Sequence, residues 1–529
     1  MKNQGRNFFK YIFILVVIGL IVGAFYLLYY KNKGDDDDDD DVVDEEATQQ
    51  TDSEISIVDN LKMAITGYDT LNPILTKNRE IINIDKLIFE PLVSITSDYN
   101  TENCLAKSIE KTSDTKYTIK LDSSVKWQDG NDLIAKDVEF TVNKIKENNS
   151  LYLQNVENIA SIEIPDAETV IFSLNQPDKY FEYKLDFPII PYLYYVNEDF
   201  PNSSKIPIGT GMYKIASNDN NNIFLIINER WRNYSSKKPK TQSITIQKNS
   251  AIGEAFNAFK LGSIDIINTN KTDYSNYVGT MGYNKKEYSG RNFDYISFNC
   301  KDQILSDKAV RKAISQAINK ENIVSTVYKD SKIVSNTPLD YGSYLNTNDG
   351  IPSYNHDEAK KTLEDDGWVF TNNRWQKNID GYVRKLSISL IVRNDSQDRI
   401  NACENIKNQL KEIGIQVNVS KVDINKYNEL LNSKNYQMML TGVTNAVSPD
   451  IDFFYGSNNL ANYHNDEISS KINDIQSYKD IIKIANDDVP YIGLYRNKII
   501  LLLNANVGGN FTPNNYFTYY NFNEWFRQQ

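Results

Sequence analysis

Histidine is the side chain best suited to proton transfer near neutral pH, and this chain has only two, His356 and His464. His356 lies in Tyr354-Asn355-His356-Asp357-Glu358, which reads as a helix start, and His464 lies in a polar loop. Neither has neighbours at the spacing of a metal site or of a nucleophile and its base, so both read as surface residues. Gly209-Thr210-Gly211 lacks the third glycine and the helix of a dinucleotide fingerprint, and no Gly-Lys-Ser/Thr phosphate loop occurs. Cys104, Cys300 and Cys403 are odd in number and far apart. They form neither a disulfide framework nor a zinc site, although one bridge between two of them stays open. Trp127 before Asp129-Gly130 resembles a sugar-facing aromatic with a carboxylate, but reads better as a packing residue followed by a turn. Asp137 and Arg311 read as charges that anchor helices through hydrogen bonds. The chain therefore offers no catalytic set and no metal or cofactor site, and is expected not to be an enzyme.

The elements that carry these residues follow from periodicity. Tyr117 to Asp122 alternates with period two, as a half-buried strand does. Val138, Val142 and Ile145 recur at helical spacing within Ala135 to Ile145. Further strands are expected at 169–174, 223–227 and 244–247. Val310, Ala313, Ile314, Ala317 and Ile318 lie on one helical face, with Asp307 placed to cap it. Leu386 to Val392 reads as a strand, Arg399 to Ile413 as a helix stopped by Gly414, and Ile415 to Val419 as a strand again. That succession predicts a parallel α/β layer in the C-terminal half.

Residues 12–30 form an apolar run of nineteen without a charge, long enough to cross a bilayer as one transmembrane helix. Lys2, Arg6 and Lys10 precede it, which favours a cytoplasmic segment at 1–11. Bulky residues from Phe25 to Tyr30, where a small-x-small site is needed, favour an uncleaved anchor over a signal peptide. Seven aspartates, Asp35 to Asp41, repel one another and lack the turn and glycine register of a calcium loop. Residues 31–53 are thus expected to be a disordered acidic linker. Asp35 to Asp41 carry −7 of the formal −12, so the rest is only mildly acidic and nothing points to nucleic acid. The remaining residues, roughly 475, exceed a single core and suit two or three domains.

A series of phrases stands in fixed order: Asp69-Thr70-Leu71-Asn72-Pro73, Leu87-Ile88-Phe89-Glu90-Pro91-Leu92, Lys126-Trp127-Gln128-Asp129-Gly130 and Ala135-Lys136-Asp137-Val138-Glu139-Phe140-Thr141. Ile208-Gly209-Thr210-Gly211-Met212-Tyr213-Lys214, Asp307 to Ile314 and Gly367-Trp368 follow. From about Asn60 to Phe526 the chain resembles extracellular solute-binding protein family 5, the oligopeptide-, dipeptide- and nickel-binding receptors of ABC transporters. The resemblance implies a two-lobe α/β fold of the periplasmic-binding-protein type II class with an additional inserted domain. Lobe I is expected at 54–90, 201–292 and 488–529, the insert at 91–200 and lobe II at 293–487. Gly209-Thr210-Gly211 becomes a structural turn of lobe I. Lipoprotein members carry a cysteine just after the signal; the first here is Cys104, so the helix at 12–30 would replace that anchor.

The family closes two lobes on its ligand and holds peptides largely through their backbones. Peptide-binding members place an aspartate for the ligand's amino group in a Trp-x-x-Asp-Tyr-type segment before a proline. Here the matching stretch is Leu440 to Asp450, with Asn445, neutral, at that place and Thr444 beside it. An ammonium without its carboxylate loses several kcal/mol, in order of magnitude, and Asp450 or Asp452 stands near enough in sequence to substitute. Lys77, Asn78 and Arg79 lie in the other cleft-facing stretch, where the cations suit an anionic group or are simply solvated. Tyr152 is the tyrosine, among thirty-five, expected to line the cleft. The chain is thus expected to be a monomeric receptor at the cell membrane, single-pass with its large domain outside. Its partners are a peptide or related small solute and an ABC transporter permease. The alternative is a tethered sensor or surface protein of the same fold that serves no transporter.

Overall fold

The structure is a computed structural model that describes residues 57–271, 273–276 and 282–528. The expected segments at 1–11, 12–30 and 31–53 lie outside the described residues. Among the described residues no helix is long and apolar enough to cross a membrane.

One sheet of eleven strands organises the chain. In chain order these are β1 (Asn60–Thr66), β2 (Tyr213–Asn218), β3 (Asn222–Ile227), β4 (Ser243–Asn249), β5 (Ile266–Thr269), β6 (Tyr283–Phe298), β7 (Lys332–Val334), β8 (Ser387–Arg393), β9 (Gln416–Val422), β10 (Met438–Thr444) and β11 (Tyr491–Asn504). Their spatial order is β9-β8-β10-β6-β11-β5-β1-β4-β3-β2, with β7 also on β11. β8 and β9 pair parallel across a helix, which is the layer that the strand-helix-strand succession requires. β1 lies parallel between β4 and β5.

Each side of this sheet system has its own core. Leu61, Ile84, Tyr213, Ile244, Leu501 and Trp525 belong to one, and Ile296, Ile314, Trp368, Leu390, Ile406 and Tyr495 to another. A third lies wholly within residues 74–200, where a four-stranded antiparallel sheet packs its Ile119, Val170 and Phe172 against Val138 and Val142 of the helix Ala135–Glu147. Trp127 is buried there and donates its indole N–H to Asp137 Oδ2 at 3.1 Å. Asp137 also accepts from the amides of Ile134 and Tyr192, so a buried carboxylate is satisfied by three donors. Gly130, at φ +96°, makes the turn after it.

Three helices set the local frame. α1 (Arg79–Ile88) starts at Asn78, whose Oδ1 accepts from the amides of Glu80 and Ile81. α2 (Lys308–Ala317) is capped by Asp307, and its Arg311 donates to the carbonyls of Leu305, Ser306, Asp488 and Val489. α3 (Gln397–Glu412) is followed by Gly414 at φ +84°, where an added Cβ would stand 2.3 Å from the Phe370 ring. Gly209 is a close approach: a Cβ there would meet the Ile88 carbonyl oxygen at 1.9 Å, while the Gly211 amide donates to that same oxygen at 2.8 Å. The glycine phrase therefore closes the end of α1. Cys104, Cys300 and Cys403 are free thiols.

Candidate functional site

β6 and β11, sixteen and fourteen residues long, run from one large core into the other. Their pairing is interrupted between Ser289, opposite Lys498, and Phe293, opposite Arg496. Gly290, Arg291 and Asn292 fall in that break, and a break of this kind bends the ladder and re-aims side chains. At this point the two strands pass from one core to the other.

Two open cavities meet there. The larger, about 640 Å³, has Asp294, Lys332, Arg399, Gly442 and Thr444 on its walls. The smaller, about 340 Å³, has Arg79, Asn268 and Arg291. Asn270, Lys271, Asn292 and Asn497 line both, so the two are neighbours. Asp294, only 6% exposed, accepts from Arg399 in a fork, with NH2 to Oδ1 at 2.6 Å and Nε to Oδ2 at 3.3 Å. Burial draws the Arg399 pKa down, but Asp294 more than offsets this and holds it above its ordinary value. A Cβ at Gly442 would lie 2.2 Å from Asp294 Oδ1 and 2.7 Å from Arg399 Nη2, so a side chain there would displace that pair.

Positive charge exceeds negative on these walls. Arg399 is matched by Asp294, and Lys498 by Glu287 at 3.2 Å. Among the described residues Arg79, Lys271, Arg291 and Lys332 form no ion pair. Burial lowers the Lys332 pKa, and its ammonium donates to Asn497 Oδ1. Burial, and then the neighbouring Arg79, pull Arg291 down as well.

The residues singled out from sequence fall in several places. Arg79 lines the smaller cavity, and Thr444 lines the larger, donating to Asn292 Oδ1 at 2.8 Å. Asn445 sits at the break itself: its amide donates to the Arg291 carbonyl at 3.0 Å, and its own carbonyl accepts from Arg291 Nε at 2.7 Å. Its side-chain amide donates to the Pro338 carbonyl at 2.5 Å, facing a gap of about 30 Å³ that Tyr99, Asp340 and Tyr516 share. Asn78 caps α1 and donates to the carbonyls of Thr66 and Gly67. Lys77 reaches the Asn149 carbonyl at 2.5 Å. Tyr152 lines a separate small cavity with Asp85 and Asp186, and burial raises its phenol. Asp450 is exposed and accepts from the Asp452 amide at 2.8 Å. Periodicity gave no sign of Lys271, Arg291, Asp294, Lys332 or Arg399 as a group. The one available signal was Gly442, a glycine where a strand reading prefers a side chain.

A match to the model of bacterial extracellular solute-binding proteins, family 5 (Middle), spans residues 100–465. The chain belongs to that family. It is a solute-binding protein. It is 27% identical over 470 residues to the oligopeptide-binding protein AppA of Bacillus subtilis, covering 82% of this chain and 86% of that one. It is 23% identical over 363 residues to the nickel-binding periplasmic protein of Escherichia coli, covering 66% and 68%. The fold is similar to that of a nickel ABC transporter protein from Bacillus halodurans, with a TM-score of 0.75 at 18% identity, over 89% of this chain and all of that one (100%). Two α/β lobes around a ligand cleft are therefore the architecture of this family member.

Proposed function

We propose that this chain is the receptor of an ABC importer that captures a short peptide, or a related small solute with an anionic group, between its lobes outside the cell. The observation that carries this reading is the pair of neighbouring polar cavities at the β6–β11 break, richer in cations than in carboxylates. Relatives named for oligopeptides and for nickel support a transported solute, and the oligopeptide relative covers more of the chain. The receptor acts as a monomer that hands its ligand to a membrane permease, performs no covalent chemistry and is tethered by residues 12–30.

Native mass spectrometry of the purified full-length chain in mild detergent tests the reading. A heterogeneous set of short-peptide masses released on unfolding is the expected result. A single non-peptide mass, or an empty chain that no peptide pool stabilises against heat, overturns the peptide assignment.

A further inference from the structure

We infer that the small sheet within residues 369–385 is a docking face for an anionic lipid surface, which it engages through Val369, Arg374, Val383 and Lys385. None of its residues lines either cavity at the β6–β11 break. The face gives the receptor a second hold on the membrane besides the tether proposed at 12–30, and the strength of that hold rests on the tether.

Three strands, Val369–Thr371, Arg374–Ile379 and Tyr382–Lys385, pair antiparallel in a sheet of their own, separate from the eleven-stranded one. Its inner face is committed. Trp375 is buried in the core that holds Ile314 and Leu390, its indole N–H donates to the Ile413 carbonyl at 2.7 Å, and Lys377 pairs with Asp307 and Asp366. Side chains alternate along a strand and directly paired residues share a face, so the register places Val369, Arg374, Val383 and Lys385 on the opposite face. All four are exposed. The three remaining positions of that face hold amide or hydroxyl side chains, and none holds a carboxylate.

Its composition fits the boundary between lipid headgroups and acyl chains. Four of the thirteen large apolar side chains exposed among the described residues, Val369, Phe370, Tyr382 and Val383, fall on this sheet, so they form a patch instead of scattering. Arg374, Arg384 and Lys385 form no ion pair among the described residues, and Asp380, in the turn, is the only carboxylate of residues 369–385. The chain as a whole carries −12, so these unpaired cations stand against its net charge and mark an anionic partner. A stable protein interface takes roughly 20–30 residues a side, about three times the seven side chains offered here, whereas a lipid surface sets no such minimum. Each unpaired cation at an anionic surface strengthens the contact about fivefold. Alone such a contact is weak and reversible; in a chain already held at the membrane it becomes effective.

The test uses the full-length chain in nanodiscs of phosphatidylcholine alone or with phosphatidylglycerol, both doped with headgroup spin-labelled lipid. A fluorophore on Asn378→Cys, on the docking face, is expected to be quenched at least about twofold more in the anionic discs, and one on Leu261→Cys equally in both. High salt is expected to remove the difference. Arg374→Gln together with Lys385→Gln, both at exposed positions, is expected to bring the anionic discs to the neutral level, and Val369→Ser with Val383→Ser to lower quenching while its salt dependence persists. Equal quenching at Asn378→Cys in both discs overturns the docking face and leaves receptor and tether standing. An anionic preference that survives the paired Arg374→Gln and Lys385→Gln change overturns the assignment to this face. A chain that does not enter the discs overturns the tether; its flotation with anionic vesicles, abolished by the same paired change, then supports the face, and failure to float overturns it. Self-association lost on Val383→Ser, without quenching in either disc, overturns the lipid and assigns the face to a second copy of this chain.

Discussion

Asp85 sits in an environment that constrains its chemistry. It is 3% exposed and neither carboxyl oxygen has a partner among the described residues. Burial, reinforced by the charge of Asp69, holds its pKa well above the ordinary carboxyl range. The folded chain therefore keeps a proton that the unfolded chain releases near pH 4. Stability from this group is complete below that point and falls as the pH rises toward the folded-state pKa, by about 1.4 kcal/mol per pH unit. Asp85→Asn, which mimics the protonated form, should melt with the unaltered chain at pH 4 and above it at pH 7. Gly442 makes the opposite kind of demand. Gly442→Ala forces a methyl group against Asp294 Oδ1 and Arg399 NH2, so it should cost about 1–3 kcal/mol in denaturant unfolding and narrow the larger cavity.

Among the elements, α1 shows how a residue near the cleft also holds the scaffold. Asn78 makes two cap bonds at the start of α1 and two more to the end of β1. Asn78→Ala should therefore lower the urea midpoint by the equivalent of about 1–2 kcal/mol, whereas Asn78→Asp keeps the cap and loses less. Elements of this kind were legible in the sequence because their signals are local. Asp307 before Val310, Gly414 after Ile413, and the alternation from Tyr117 to Leu121 each specify a structure within a few residues. β6 and β11 were not legible, because a strand that passes between two cores changes its buried face midway and carries a break, which erases the period-two pattern. The expected lobe limits at 292/293 and 487/488 instead came from family resemblance, and they fall within β6 and just before β11. The site shared that fate. Arg79, Thr444 and Asn445 were singled out from segments expected to face the cleft, but Arg291 and Asp294 on β6 and Arg399 on α3 come together only through the long-range pairing of β6 with β10 and β11 and the Arg399–Asp294 bond.

At the scale of the whole molecule, Asp340 ties the parts together beside the hinge. It accepts from Ser289 Oγ at 2.6 Å and from Asn515 Nδ2 at 2.9 Å, while the Tyr516 hydroxyl donates to the Ala446 carbonyl at 3.0 Å. Asp340→Ala should broaden the distance distribution between labels at Leu261→Cys and Tyr382→Cys, exposed positions on lobe I and lobe II. The native thiols leave such labelling selective, since Cys104 and Cys403 are buried and burial pushes Cys300 up to about 11. The arrangement of cores also sets an order of events during biosynthesis. The insert core closes within residues 74–200. The lobe II core needs Ile492 to Tyr495, and the lobe I core needs Leu501, Leu503 and Trp525, so both wait for β11. A chain emerging from the ribosome can thus complete its insert core early, whereas the two large cores remain unsealed until the last tenth of the sequence arrives.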